Sequence, residues 1–417
     1  MEDSKASATV SRRNMLKATG LGSAVALSGC LDSITGGGGA DQLTIALMFP
    51  QSGAYAVYGE DGGKAAELAE QELNDSDEGP EIEIVEKDTE LSPDSAVTRA
   101  REAVEEDNAD VLLGFASSSV ALAVSEFGAG QDIVTVATVA QTPQLTGAEC
   151  RRKSFRTAGD LVQINNGCAQ AVTELTDVSS EWDTASIYPN YVFGQETWAS
   201  FQEALQGRVG EMNIVSEQAP EFGKGEYQNE IQALLDEEPD LVYSSLSGSD
   251  LISFIRQAQQ VDFFDEIEEF VHCSGAITDT SRALGDEMVE MIAADRYFYQ
   301  FPDSQRNNDF VQAYQDVHDE IPVNTAQETY AGIYGVHKAA TEGEGTDVDT
   351  LVGSLEGLEI DAPEGTKRIR EGDHQSVEPN IWVGRVGEVD YADFYGFTEM
   401  NPVPGEDVIP EPNCDMS

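Results

Sequence analysis

The chain has 417 residues, with 23 Lys and Arg against 78 Asp and Glu, a formal charge of −55. A surface this acidic repels nucleic acid and anionic lipid, so neither is expected as a partner. The 40% hydrophobic content, with only 24% charged residues, excludes a disordered acidic tail. The acid is spread along the whole chain and there are only eight lysines. It reads as a folded protein of a salt-loving organism, suited to molar salt where the Debye length is about 3 Å.

The first thirty residues read as a targeting segment. SRRNMLK (11–17) is a twin-arginine signal, and the apolar stretch ATGLGSAVALS after it is shorter than the roughly 20 residues that span a bilayer. LSGC ends in Cys30 and resembles a lipobox, whose cysteine is lipidated and becomes the new N-terminus. Loss of residues 1–29 would remove four basic and two acidic residues and leave −57. Residues 30–42, rich in Gly and small polar residues, form a tether. The expectation is a protein on the extracytoplasmic face of the cell membrane, held by lipid at Cys30 and by no other membrane contact. Four cysteines remain, Cys150, Cys168, Cys273 and Cys414. They allow three connectivities, and Cys168 and Cys273 also suit buried free thiols.

After the tether, strands and helices alternate. Residues 43–49, 81–88, 110–115 and 132–138 read as strands; 64–74, 94–107 and 118–130 read as helices. Units of about 30 residues imply a parallel sheet with right-handed crossovers. The rhythm resumes with helix 161–176, strand 184–188, helix 195–206, strand 213–219, helix 227–236, strand 241–245, helix 250–260 and strand 268–273, enough for a second α/β lobe. Helices 304–319 and 325–341 follow, then a short helix near 350–356, a β-hairpin over NIWVGRVGEV (380–389) and an irregular Pro-rich tail.

No catalytic motif stands out. The glycines of FPQSGAYAVYGEDGGK (49–64) lie between a strand and a helix, but a phosphate loop needs G-x-x-x-x-G-K-[ST]. Here Tyr58 occupies the first position and Ala65 the last. No dinucleotide fingerprint, H-E-x-x-H or G-x-S-x-G occurs, and the four histidines (His272, His318, His337, His374) form no recognisable set. No enzyme chemistry, metal or cofactor is therefore expected.

In open α/β sheets ligands sit beyond the carboxyl ends of strands. Four such ends carry ligand-type residues: loop 50–63 with Tyr55 and Tyr58, GFASSS with hydroxyls at a helix start, TVAQTPQLT with Gln141, and YPNYVFGQE with Tyr191 and Phe193. SGAYAVYGEDGGKAAELAEQELN, GFASSSVALA, ATVAQTPQLT, SFRTAGD, IYPNYVFGQE and DLVYSSLSGSDLISFIRQA, in that order, resemble the type I periplasmic binding proteins of ABC importers. Within these, the branched-chain amino-acid and amide-binding family is most similar. The likeness runs from about residue 43 to 340.

The resemblance implies two doubly wound α/β lobes joined by a hinge of three crossovers. Residues 43–158 and 298–375 would form the N-terminal lobe, and 159–297 and 376–411 the C-terminal lobe. It implies a small polar ligand held between the lobes and delivered to an ABC permease. Carried over residue by residue, Tyr58 takes the place of an aromatic lining the cleft. Ser118, with Ser117, takes the place of the serine that binds the ligand carboxylate. Val139 matches a position that uses its backbone. Gln141 stands where amino-acid binders often have threonine, Phe193 where they often have tyrosine, Ser247 near a second-lobe aromatic, and Ser274 near the acid that pairs the ligand ammonium. An ammonium buried without a carboxylate is costly, so an amide, urea or amine-free carboxylate fits better than an ordinary amino acid, unless Asp250 or Asp279 restores the charge. A ligand-sensing receptor ectodomain of the same fold, or less readily an extracellular enzyme, is the alternative.

Overall fold

The computed structural model of the protein describes residues 42–76, 78–275 and 277–416. The twin-arginine segment, Cys30 and tether residues 30–41 lie outside the described residues. Seven of the eight residues of β1 (Gln42–Phe49) are buried, the mark of a strand covered on both faces. The chain continues as α1 (Ala56–Asp75), β2 (Glu81–Asp88), α2 (Pro93–Glu105), β3 (Val111–Gly114), α3 (Ser118–Ala129), β4 (Val134–Ala137) and β5 (Ser154–Arg156). These strands form a parallel sheet in the order β2-β1-β3-β4-β5, with Ile45 opposite both Ile84 and Val111.

The second lobe is built from α4 (Leu161–Leu175), β6 (Asp183–Ile187), α5 (Val192–Val209), β7 (Asn213–Gln218), α6 (Gln228–Leu235), β8 (Leu241–Ser244), α7 (Ser249–Gln259), β9 (Glu269–Gly275), α8 (Thr278–Leu284) and β10 (Met291–Asp295). The chain then returns to the first lobe with α9 (Gln305–His318), α10 (Asn324–Gly343) and α11 (Val348–Leu355). The small strands β11 (Glu359–Ala362), β12 (Gly365–Ile369) and β13 (Ser376–Val377) follow. It ends on the second lobe with β14 (Asn380–Gly387), β15 (Gly396–Pro404) and α12 (Gly405–Val408). The second sheet runs β15-β14-β10-β9-β8-β6-β7, with β14 and β15 antiparallel at one edge.

Each sheet is covered on both faces. In the first lobe Leu43, Ile45, Tyr314, Tyr330 and Leu351 share one core and Met48, Ala100, Leu112 and Val124 the other. In the second, Phe254 and Ile187 lie on one face, Val172 and Phe201 on the other. The chain therefore passes between lobes three times, after β5, β10 and β13.

Several sequence expectations need correction. Helix α1 begins at Ala56, eight residues earlier than its apolar period suggests, so Gly59, Gly62 and Gly63 are helical. They are there for close approach: a Cβ on Gly59 would fall 2.0 Å from the Pro50 carbonyl oxygen, and one on Gly62 2.7 Å from the Phe49 ring. The second lobe repeats the device, since a Cβ on Gly194 in α5 would meet the Pro189 carbonyl oxygen at 2.0 Å. Residues 380–389 are not a hairpin by themselves. They hold one long arm, β14, and the other arm is β15 in the tail expected to be irregular. Strands β5, β10, β11, β12 and β13 went unread because they are short or flanked by polar residues.

The cysteines pair as Cys150–Cys414 and Cys168–Cys273. Cys168 and Cys273 are fully buried as expected but are not free thiols. The first pair has an architectural consequence. After α12, whose Val408 carbonyl accepts from Asn166 of α4 at 2.8 Å, the tail turns back to the first lobe. There Arg370 Nη1 donates to the Pro410 carbonyl at 2.7 Å, and Cys414 bonds Cys150. The lobes thus have a fourth covalent link besides the three crossovers.

The crossovers converge on buried charge. Lys367 Nζ lies 2.6 Å from Glu328 and 3.2 Å from Glu378, also pairs with Glu364, and donates to the Thr157 carbonyl at 3.1 Å. All four side chains are fully buried. Burial pushes the Glu378 carboxyl up to about 8, against the pull of Lys367 and with a further push from Glu328. Thr157, Arg296 and Glu378 belong to the three different crossovers, so one ionic knot ties the hinge together.

Candidate functional site

The cleft is made where the carboxyl ends of both sheets face each other. From the first lobe come Tyr55 and Tyr58 after β1, Ser118 after β3, Val139 and Gln141 after β4, and Asn324 and Thr325 opening α10. From the second come Tyr191 and Phe193 after β6, Ser247 after β8, Ser274 at the end of β9, and Arg296 directly after β10. Ala116 and Ala140 complete the wall. Seven residues singled out in the sequence, Tyr58, Ser118, Val139, Gln141, Phe193, Ser247 and Ser274, therefore line one cavity. Ser117 is buried at the N-cap position of α3 without a side-chain cap bond and is not part of the lining. A wider groove of about 860 Å³ runs outside α1 past Glu60, Glu67, Glu70 and Glu86, but all its walls belong to the first lobe.

The lobes are drawn together over the cleft. The Tyr55 hydroxyl lies 2.9 Å from the Tyr191 hydroxyl and 2.9 Å from Ser247 Oγ. Its ring packs 4.9 Å from Tyr58 and 4.8 Å from Phe222, and Phe222 in turn lies 5.1 Å from Tyr191. Gln141 Nε2 donates to the Ser274 carbonyl at 2.7 Å, and Asn324 Nδ2 to the Gly275 carbonyl at 2.9 Å. Backbones also touch. Gly248 has φ +58° and its missing side chain leaves room for Ala54, whose carbonyl oxygen a Cβ would meet at 2.5 Å; only glycine meets both demands cheaply. The cavity that remains is about 20 Å³, room for about one water. A ligand of even ten heavy atoms enters only if the lobes part.

Electrostatically the cavity is unusual for so acidic a chain. Among the described residues that line it, Arg296 alone is charged. Burial raises the phenol pKa of Tyr55, Tyr58 and Tyr191, so these stay neutral hydroxyls. Arg296 is aimed by its neighbour. Asp295 accepts N–H bonds from Arg296 at 2.9 Å, Ile277 at 3.2 Å and Tyr297 at 3.4 Å, and burial pushes its carboxyl up to about 7. The guanidinium donates through Nη1 to the Val139 and Gly159 carbonyls at 3.3 and 3.4 Å, and Nε lies 3.7 Å from Glu328. Its Nη2 is buried with no hydrogen-bond partner among the described residues, as are Gln141 Oε1 and Thr325 Oγ1. Buried orphans of this kind are rare and call for an explanation.

Asp250 and Asp279, the acids that could have served a ligand ammonium, do not line the cavity. Asp250 accepts the Gly223 backbone N–H at 2.7 Å, and Asp279 lies on α8. Sequence reasoning missed Arg296, Asn324 and Thr325. The signal for Arg296 was MIAADR, an apolar strand ending in acid and arginine; that for the other two was the helix start after Pro322. Tyr55 and Tyr191 were visible as loop aromatics, but no role followed from the resemblance.

Two α/β lobes, strand ends converging on a closing cleft, and side chains from both lobes define a ligand clamp. A family model for periplasmic binding proteins matches residues 42–390. The chain belongs to the periplasmic binding protein family. A Leu/Ile/Val-binding protein homolog 7 of Brucella suis is 24% identical over 328 residues, covering 76% of this chain and 81% of that protein. Among solved structures, a solute-binding protein of an ABC transporter from Rhodopseudomonas palustris BisB5 in complex with 3,4-dihydroxybenzoic acid has a TM-score of 0.78 at 22% identity, covering 87% of this chain and 98% of that one. An ABC-type branched-chain amino acid transporter protein from Rhodopseudomonas palustris CGA009 has a TM-score of 0.72 at 23% identity, covering 89% and 100%. The family places the protein outside the cytoplasm. Its family is one of ligand-binding proteins.

Proposed function

We propose that this is a substrate-binding protein that delivers a small ligand to an ABC importer, and that the cleft between the lobes is where the ligand is held, with Tyr58, Ser118, Val139, Gln141, Phe193, Ser247 and Ser274 in its wall and Ser117 behind Ser118. The observation that carries this is the cavity itself, to which each lobe contributes the loops at its strand ends. The work is capture and release without bond chemistry. Hinge motion about residues 157–160, 296–298 and 376–379 opens and closes the cleft, and a ligand touching both lobes selects the closed form. The lobe boundaries proposed are 43–158 with 298–375, and 159–297 with 376–411, the last residues of the tail docking back on the first lobe. Twin-arginine export and a lipid anchor at Cys30 would hold the protein at the cell surface of a salt-loving organism. The motifs of residues 11–30 and the charge of −55 support this.

The similar proteins include one solved with an aromatic carboxylate and others named for branched-chain amino acids, so the ligand is sought among small carboxylates, amides, urea and amino acids. A thermal-shift screen of these in molar salt tests the reading. A ligand at a hundred times its dissociation constant adds roughly 2.7 kcal/mol, and small-angle scattering should show compaction on binding. A tightly bound ligand that leaves the scattering unchanged would refute the clamp.

A further inference from the structure

We propose that the cleft selects a small monocarboxylate that carries no ammonium group, and that Arg296 is the residue that takes the carboxylate. This rests on the cleft being the ligand site and names the class of ligand it admits.

The argument is one of charge. The only charged side chain among the described residues lining the cavity is a guanidinium. It is fully buried, and Nη2 has no hydrogen-bond partner among them. Glu328 lies on the Nε side at 3.7 Å, and the two carbonyls are on Nη1, so Nη2 is the donor left for a ligand. Four helices also begin at this cavity: α1 with Tyr58, α3 with Ser118, α5 with Phe193 and α10 with Asn324 and Thr325. Each brings the positive end of its dipole to the cavity. No carboxylate among the described residues lines the cavity to offset them. An anionic oxygen end is therefore favoured, while an ammonium would be buried beside a guanidinium without a counter-charge.

The rest of the wall describes the remainder of the ligand. Tyr55, Tyr58, Tyr191 and Phe193 supply flat apolar faces, which suit a ring or a branched hydrocarbon. Gln141 Oε1, unpaired and buried, is an acceptor that a neutral hydroxyl on the ligand could satisfy. The donor on Arg296 also ties the ligand to the hinge, because the same side chain follows β10 of the second lobe and bonds the Val139 carbonyl of the first lobe and the Gly159 carbonyl of the first crossover.

Two matched pairs of ligands test this on the mature wild-type protein by calorimetry in molar salt. Benzoate and benzamide have nearly the same shape, but the amide is neutral and has an NH2 donor in place of one carboxylate oxygen. 4-Methylpentanoate and leucine differ in the ammonium group alone. Each carboxylate is expected to bind at least about 30-fold tighter than its partner, the loss typical of an unpaired buried charge. Arg296→Gln should cost benzoate a similar factor and leave benzamide unchanged, and rescue by Arg296→Lys should be partial because a lysine lacks the planar fork. Should the Arg296 variants fail to fold, since they also strip Glu328 of a partner, the ligand pairs decide alone. Benzamide binding as tightly as benzoate would overturn the proposal. Tight leucine binding with compaction in scattering would overturn it while leaving the cleft as the site. Failure of all four to bind at millimolar concentration would count against both.

Discussion

Closing the cleft brings two carboxyl groups together from opposite lobes, and this makes ligand affinity depend on pH. Asp61 lies on α1 three residues after Tyr58 and is buried, with Oδ2 unpaired among the described residues. Burial pushes its carboxyl up to about 8, with the charge of Asp279 adding to the effect and Arg282 and Lys64 opposing it. Asp279 on α8 is pushed up to about 7, again by burial first, opposed by Arg282 and Lys64 and aided by Asp295 and Glu320. The two basic groups are already engaged: Lys64 and Arg282 each lie 3.0 Å from Glu320, and the latter bridge crosses the lobes. Glu60, Tyr314, and His318 with Nε2 at the Lys64 carbonyl complete the surroundings.

When the lobes part, Asp61 and Asp279 separate and hydrate, and their pKa values should fall toward the ordinary value near 4. The closed form thus holds up to about two protons more than the open form between pH ~4 and ~7, and about one between pH ~7 and ~8. The sign follows: the stabilisation of closure is complete below the open-state pKa and is lost as pH rises through the closed-state value near 8. One linked proton corresponds to about tenfold in dissociation constant per pH unit. The prediction is that ligand binding weakens by at least roughly that factor per unit from pH 6 to 7 and by less above, with uptake of one to two protons per ligand at pH 6. Calorimetry in two buffers of different ionisation enthalpy reads the protons directly. Asp61→Asn should remove about one proton of the uptake and lessen the pH dependence, whereas His318→Gln should leave both unchanged. A flat wild-type profile with no proton uptake would refute the reasoning.

Four other outcomes are expected. Tyr55→Phe keeps the ring but removes both cross-lobe hydroxyl bonds, so affinity should fall about 10- to 30-fold, at roughly 1 kcal/mol per bond, while the melting temperature of the free protein barely moves; a loss under threefold by calorimetry would mean that these bonds do not hold the cleft shut. Cys414→Ser releases the tail from the first lobe and should lower unfolding free energy by roughly 2–4 kcal/mol, checked by denaturant titration, with reducing agent giving no further loss through the Cys150 pair. Lys367→Met leaves Glu328, Glu364 and Glu378 buried without their cation and should cost about 3–5 kcal/mol. Glu378→Gln in the same knot should be nearly neutral at pH 7, since that carboxyl is already pushed up to about 8.

Much of this architecture was legible because parallel strands covered on both faces are continuous apolar runs. LTIALMF and DVLLGF announce themselves, and the βα rhythm between them limits the topology. The edge strands β14 and β15 were harder. Their partners are 9 to 24 residues apart in sequence, and the second arm contains Pro402 and Pro404, which argue against a strand unless it lies at an edge. The start of α1 was hidden for a different reason: Gly59 and Gly62 look like loop residues until Phe49 and Pro50 are seen pressed against them.

The site divides along the same line. Tyr58, Ser118, Gln141 and Phe193 could be named from the sequence because each sits a few residues past a recognisable strand, and chain direction alone places such residues at one rim of the sheet. What sequence cannot express is which rims face each other. Tyr55 meets Ser247 across a separation of 192 residues; Arg296 joins them from a crossover; Lys367, one of eight lysines in an acidic chain, finds three glutamates in the hinge. These contacts are set by how two independently wound lobes dock. By itself the sequence determined the two lobes, their strand-end loops and the acidic surface, all products of local pattern and composition. Tertiary structure alone decided that, among the described residues, the single charge left lining the cleft is positive, because that depends on which side chains burial brings together and which it leaves without a partner.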